Sequence, residues 1–178
     1  MWTPLLVACK GGHVEAVKRL VNSGAKIATV DKDGATPLYV ASENGHAGVV
    51  AYLLEKGVDV NARKKDGWTA MMIAAKNGHV DVLKELLKHK ADINAETEEG
   101  WTPLILAAFH TRFPVVKFLV SSGANVSKKN KNGMTPLHIA AANGKTDVAR
   151  YLVTRKKVNI EAVNKNGVRF LAKHLKAY

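Results

Sequence analysis

Seven histidines, one cysteine and fifteen carboxylates are the side chains here that could hold a metal or move a proton. Their spacing argues against both. His13, His46 and His79 each follow a glycine and stand 33 residues apart, so they recur once per period of the chain. Ligands of one zinc ion must converge to about 2 Å from it, and side chains one period apart along a stack cannot do so. Hydrogen bonding within the framework is the role that spacing supports. Cys9 has no partner cysteine, so no intrachain disulfide forms; it occupies a small-residue position that suits inert packing in a reducing, intracellular compartment. No nucleophile–base–acid set, glycine-rich phosphate loop or carboxylate pair stands apart from the repeating frame. Catalytic residues, metal ligands and cofactors are therefore assigned as none. Asn125-Val126-Ser127 matches the glycosylation triplet, but the N-terminus lacks a signal-peptide pattern, and no apolar run approaches the ~20 residues that span a bilayer.

The elements that position these residues are written in a recurring triplet. Thr3-Pro4-Leu5 is followed at 33-residue intervals by Thr36-Pro37-Leu38, Thr69-Ala70-Met71, Thr102-Pro103-Leu104 and Thr135-Pro136-Leu137. A constant period over most of a chain means a stack of like units, with no single central pocket. Each unit has room for two short helices and a turn. Thr36 can cap a helix that starts at Pro37, where the missing N–H is no loss, and Leu38, Val40 and Ala41 supply its apolar side. Asn44-Gly45 ends it, and a second helix is predicted over Ala47 to Glu55. Val80, Val82, Leu83, Leu86 and Leu87 give the corresponding stripe in the third unit. Gly57 stops the second helix, and Asp59-Val60-Asn61 leads to a turn before Asp66-Gly67. A composition 47% hydrophobic and only 6% aromatic suits closely spaced helices packed through Ala, Val and Leu.

Thr135-Pro136-Leu137-His138-Ile139-Ala140 matches the ankyrin signature, and the chain resembles the ankyrin-repeat family over essentially all 178 residues. The resemblance implies an all-α solenoid of paired antiparallel helices with projecting β-hairpin or turn fingers and a concave face. It also implies a hydrogen-bonding role for His138. One domain results, with units 1–30, 31–63, 64–96, 97–129 and 130–163 and a partial unit 164–178. Phe170, Leu171, His174, Leu175 and Tyr178 share a face of the last helix, and Arg169, Lys173 and Lys176 give it a polar outer side. Starting at Trp2-Thr3-Pro4 and ending after one helix suits either a module of a longer chain or a complete small protein.

The pattern breaks in three places. The fourth unit carries Thr111-Arg112 in place of the usual Gly-His, and its turn is predicted to differ because threonine is strained in the left-handed conformation; Pro114 is acceptable early in the helix that follows. Lys90 and Lys156 replace the glycines found at Gly24, Gly57 and Gly123. Arg155-Lys156-Lys157 also holds a one-residue insertion and should form the least regular loop.

The resemblance places partner contacts on the fingers and at the ends of the first helices. The residues before each Thr-Pro, or at the equivalent register, are Trp2, Ala35, Trp68, Trp101, Met134 and Val168. The helix ends carry Lys10, Glu43, Lys76-Asn77, Phe109-His110 and Ala142. Trp68, Trp101, Phe109 and Met134 should lie close together, and a cluster of aromatic anchors is where binding energy concentrates; a tryptophan here can equally buttress the finger base. Finger tips alternate in sign, basic at Lys65, acidic at Glu98, basic again at Lys129 and Lys131, which suits a partner with its own charge pattern. The predicted contact set is thus Trp68, Lys76, Asn77, Trp101, Phe109, His110, Met134, Lys65, Glu98, Lys129 and Lys131. Net charge is +12, and residues 128–178 hold twelve basic side chains against Asp147 and Glu161 alone. The function expected is a monomeric, cytoplasmic, non-catalytic module that binds a protein or peptide on its concave face. A rival is an anion-binding adaptor for nucleic acid, acidic lipid or a phosphorylated partner through the basic third, and another is an architectural spacer.

Overall fold

The computed structural model describes residues 2–155, 158–165 and 167. The expectations for Lys156, Lys157, Val168, Arg169, Phe170, Leu171, Lys173, His174, Leu175, Lys176 and Tyr178 concern positions outside the described residues.

Among the described residues ten helices follow one another: α1 (Pro4–Gly11), α2 (Val14–Asn22), α3 (Pro37–Glu43), α4 (Ala47–Glu55), α5 (Ala70–Asn77), α6 (Val80–Lys88), α7 (Pro103–Phe109), α8 (Phe113–Ser121), α9 (Pro136–Ala142) and α10 (Thr146–Val153). Odd-numbered helices start alike. The Thr hydroxyl at the N-cap accepts the N–H three residues on, at 3.3 Å for Thr3, 3.1 Å for Thr36, 3.4 Å for Thr69 and 3.2 Å for Thr102. That bond satisfies one of the donors left open at a helix start. In the fifth unit His138 returns the favour to Thr135 and closes a reciprocal capping box.

Each odd helix packs against the next odd helix and against its own even partner, giving two layers of antiparallel pairs. The inner layer is enclosed on nearly all sides, so Pro103 through Ala108 are all buried. The outer layer buries only a stripe, as in α6, where Val82, Leu83 and Leu86 are buried while Val80 and Leu87 are half-buried against the core. Cys9, Ser42, Ala75 and Ala108 occupy one register and are wholly buried, and their small volume lets neighbouring helices approach.

Fingers between units are tight turns closed by two backbone bonds. Lys64 N–H donates to Trp68 O at 2.9 Å and Gly67 N–H to Lys64 O at 2.9 Å; Thr97, Trp101 and Gly100 repeat the pattern at 3.1 and 2.9 Å. Among the described residues the pairing extends no further than an isolated bridge at Val163, so the expected hairpin or turn fingers take the form of turns without flanking ladders. Gly100 shows why the tip needs glycine. Its φ is 75°, and a Cβ there would stand 3.0 Å from Asn130 Cα in the next finger.

The turn at Thr111 overturns the expectation that it would differ. Thr111 takes φ 57°, and Arg112 N–H donates to Ala107 O at 2.9 Å as His46 N–H does to Ala41 O at 3.0 Å. A bond outside the turn explains it: Arg112 Nε donates to Lys76 O at 2.9 Å, anchoring the segment to the preceding unit. His46 Nε2 bonds Lys10 O at 2.8 Å and His79 Nε2 bonds Glu43 O at 3.1 Å in the same way. The glycine-linked histidines at 46 and 79 therefore hold the stack together, and arginine replaces them in the fourth unit. Lys90 is also left-handed, with φ 65°.

Candidate functional site

Eight residues separate the position before each Thr-Pro from the end of the first helix, a little over two turns, and this brings the two side chains together. Lys10 sets its ammonium over the Trp2 ring at 5.2 Å from the centroid, and Lys76 sits over Trp68 at 5.4 Å. The fourth unit replaces the lysine by Phe109, whose ring meets Trp101 edge to face at 5.5 Å and 86°. His110 in turn stands edge-on to Phe109 at 5.1 Å.

The pairs of the third and fourth units line one open concavity of about 410 Å³ between two fingers and two helix ends. Trp68, Lys76, Trp101, Phe109, His110 and Glu98 are six of the predicted contact residues that it gathers. Asp66, Thr97, Glu99 and Leu106 complete the lining; the first three sit on the same finger tips as Lys65 and Glu98, while nothing in the sequence distinguishes Leu106 from other core leucines. Both tryptophans are half-buried and rest on Met72, Ala95 and Leu106. They buttress the finger base with one part of the ring and face the concavity with another. Phe109 is 41% exposed, a large apolar surface at a slot held elsewhere by Lys10, Glu43, Lys76 and Ala142.

The remaining predicted residues lie outside this lining. Met134 is half-buried and accepts from Asn164 Nδ2 at 3.2 Å through its sulfur. Asn77 spends its amide on Glu43 O at 2.7 Å. Lys65 donates to Lys32 O at 2.8 Å, and Lys131 pairs with Glu99 at 3.4 Å. Lys128 likewise pairs with Glu96, which also receives Arg63 at its carbonyl, 2.8 Å away. The alternation of sign is thus consumed largely between neighbouring fingers. Lys129 is exposed beside Thr135 and Ala162, at a separate hollow.

Electrostatics in the concavity are uneven. Burial, reinforced by Lys76 and Arg112, pushes the His110 imidazole below its ordinary range, so it is neutral at pH 7. Lys76 is then the one cation in a lining that holds Asp66, Glu98 and Glu99. Asp66 has Lys64 at 3.7 Å and Glu99 has Lys131; Glu98 is exposed and has no ion-pair partner among the described residues. No group of three or more His, Cys, Asp or Glu there could hold a metal ion, and no helix is long and apolar enough to cross a membrane, both among the described residues.

A model of three ankyrin repeats matches residues 1–64 and again 57–130, and a single ankyrin-repeat model matches 132–165. No curated protein matches the chain.

Proposed function

We propose, given that this chain belongs to the ankyrin-repeat family, that it binds a partner protein on its concave face around Trp68, Trp101 and Phe109. Ankyrin repeats are in general protein–protein interaction modules and typically non-catalytic. The observation that carries the reading is Phe109, a 41% exposed aromatic packed edge-on against Trp101 at the mouth of the concavity. An exposed aromatic beside a second, rigidly held one is the usual make-up of an interface hot spot, where truncation costs ~2 kcal/mol or more. The charged fingers form the rim.

The test is partner capture from lysate by the intact chain and by Phe109→Ala. Phe109 is the cleaner probe because Trp101 also supports the core. Loss of specific capture with unchanged helical content supports the reading, and undiminished capture overturns it. The rival anion-binding reading through the basic third draws less support, since Lys128 and Lys131 are already paired with Glu96 and Glu99.

A further inference from the structure

We infer that the concavity takes a basic side chain, an arginine of the partner, against the Trp101 and Phe109 rings. This rests on the concave-face reading and specifies its chemistry. The first ground is internal. In two units the ring before the Thr-Pro or Thr-Ala pair is covered by the chain's own lysine, Lys10 over Trp2 and Lys76 over Trp68. Electron-rich ring faces attract cations, and this fold uses that attraction wherever a lysine stands eight residues on. Phe109 fills the lysine slot against Trp101 and, 41% exposed, extends the aromatic surface into the concavity, where, among the described residues, the chain sets no cation of its own over Trp101.

The second ground is sign. Of the lining carboxylates, Asp66 and Glu99 already have Lys64 and Lys131, whereas Glu98 is exposed without an ion-pair partner among the described residues, and His110 is neutral. An arginine suits both features, because its planar guanidinium stacks on aromatic faces and bonds a carboxylate in a fork. An acidic side chain placed at Glu98 would meet like charge.

The experiment follows the three tryptophan indole N–H resonances while a short glycine-flanked peptide with a central arginine is titrated in. The same peptide with citrulline, of equal shape but uncharged, serves as control, and Trp2 serves as the internal reference. Trp101 should shift, with the arginine peptide binding about fivefold or more tighter than the citrulline one. Glu98→Gln should weaken binding and Lys76→Met should strengthen it. Phe109→Lys restores the residue type found at positions 10 and 76, so it should fold and occupy the site itself, abolishing the response. Equal binding of arginine and citrulline, or tighter binding after Phe109→Lys, overturns the inference. If glutamate- or norleucine-centred peptides shift Trp101 and arginine does not, the face binds and the cation assignment falls. If a captured partner ignores Phe109→Ala, the concave-face reading falls and takes this inference with it.

Discussion

Arg112 reaches back 36 residues to donate from Nε to the Lys76 carbonyl at 2.9 Å, the place His46 and His79 take in the two units before it. In those units the following histidine ring lies over a glycine. A Cβ on Gly12 would meet His46 Nδ1 at 2.4 Å and one on Gly45 would meet His79 Nδ1 at 2.7 Å. Thr111 has a Cβ at that register, and the next unit carries Lys145 there, with no ring to collide. Thr111 and Lys145 are therefore coupled. Thr111→Gly should stabilise by about 1 kcal/mol by relieving the left-handed strain. Lys145→His alone should destabilise, because its ring would be driven into the Thr111 side chain. Combined, the two should exceed the sum of their separate effects by about 1 kcal/mol or more, as the histidine gains the Phe109 carbonyl. Urea unfolding of the four variants measures the coupling; strict additivity refutes it.

Lys90 presents the simpler case of the same strain. Its φ of 65° is a conformation that Gly24, Gly57 and Gly123 adopt at equivalent helix ends, where nothing lies within 4 Å of an added Cβ. Lys90 itself is exposed. Lys90→Gly is expected to raise stability by about 0.5–1 kcal/mol, the left-handed relief exceeding glycine's greater unfolded-state entropy. Thermal unfolding decides it, and a lower midpoint for the glycine variant would contradict the strain.

Local chemistry was legible where it acts within a few residues. Thr36 before Pro37 specified a cap, and the predicted second helix over Ala47 to Glu55 has those bounds. The stripe at Val82, Leu83 and Leu86 named the buried face of α6. Trp68, Trp101 and Phe109 were grouped correctly because a fixed period converts sequence register into spatial neighbourhood, but Met134 in the same register misses the concavity. Contacts one unit away were not legible. The strain at Thr111 was visible, whereas the Arg112 bond that holds the turn spans 36 residues. Likewise the finger charges looked available to a partner until Lys131 was found on Glu99, 32 residues earlier. What eluded sequence reasoning is the pairing of side chains between adjacent units, which composition of either unit alone does not specify.

Cys9 should be nearly unreactive in the folded chain. It is 0% exposed, and burial pushes its thiol up to about 12. The thiolate is the nucleophile, so at pH 8 only about one molecule in ten thousand would carry it, against a substantial fraction for a free cysteine. Alkylation by iodoacetamide should run about a hundredfold faster or more in denaturant than in native buffer. Rates within a few-fold of each other would show that the α1–α3 contact opens readily. Cys9→Ala removes only the sulfur and should cost about 1 kcal/mol.

His138 sets a pH dependence of known sign. It is 3% exposed, its Nδ1 faces Thr135 N–H at 3.3 Å and its Nε2 lies 2.9 Å from Ala162 O. These partners require the neutral ring with the proton on Nε2: Thr135 N–H donates to Nδ1, and Nε2–H donates to the carbonyl. Burial is the main cause that lowers its affinity for a proton, opposed by the Ala162 bond and aided by Lys129. The unfolded chain therefore binds more protons than the folded one just below the ordinary histidine value of 6.5. Stability is full above that pH and is lost as acid carries the solution down toward the folded-state value, by at most about 1.4 kcal/mol per pH unit for one proton. His110, lowered in the same direction, adds to the slope. His138→Gln should lower stability at pH 7.5 and flatten the decline between pH 6.5 and 5 relative to the parent. Parallel pH profiles for the two proteins, taken from urea midpoints, would rule out His138 as the titrating group.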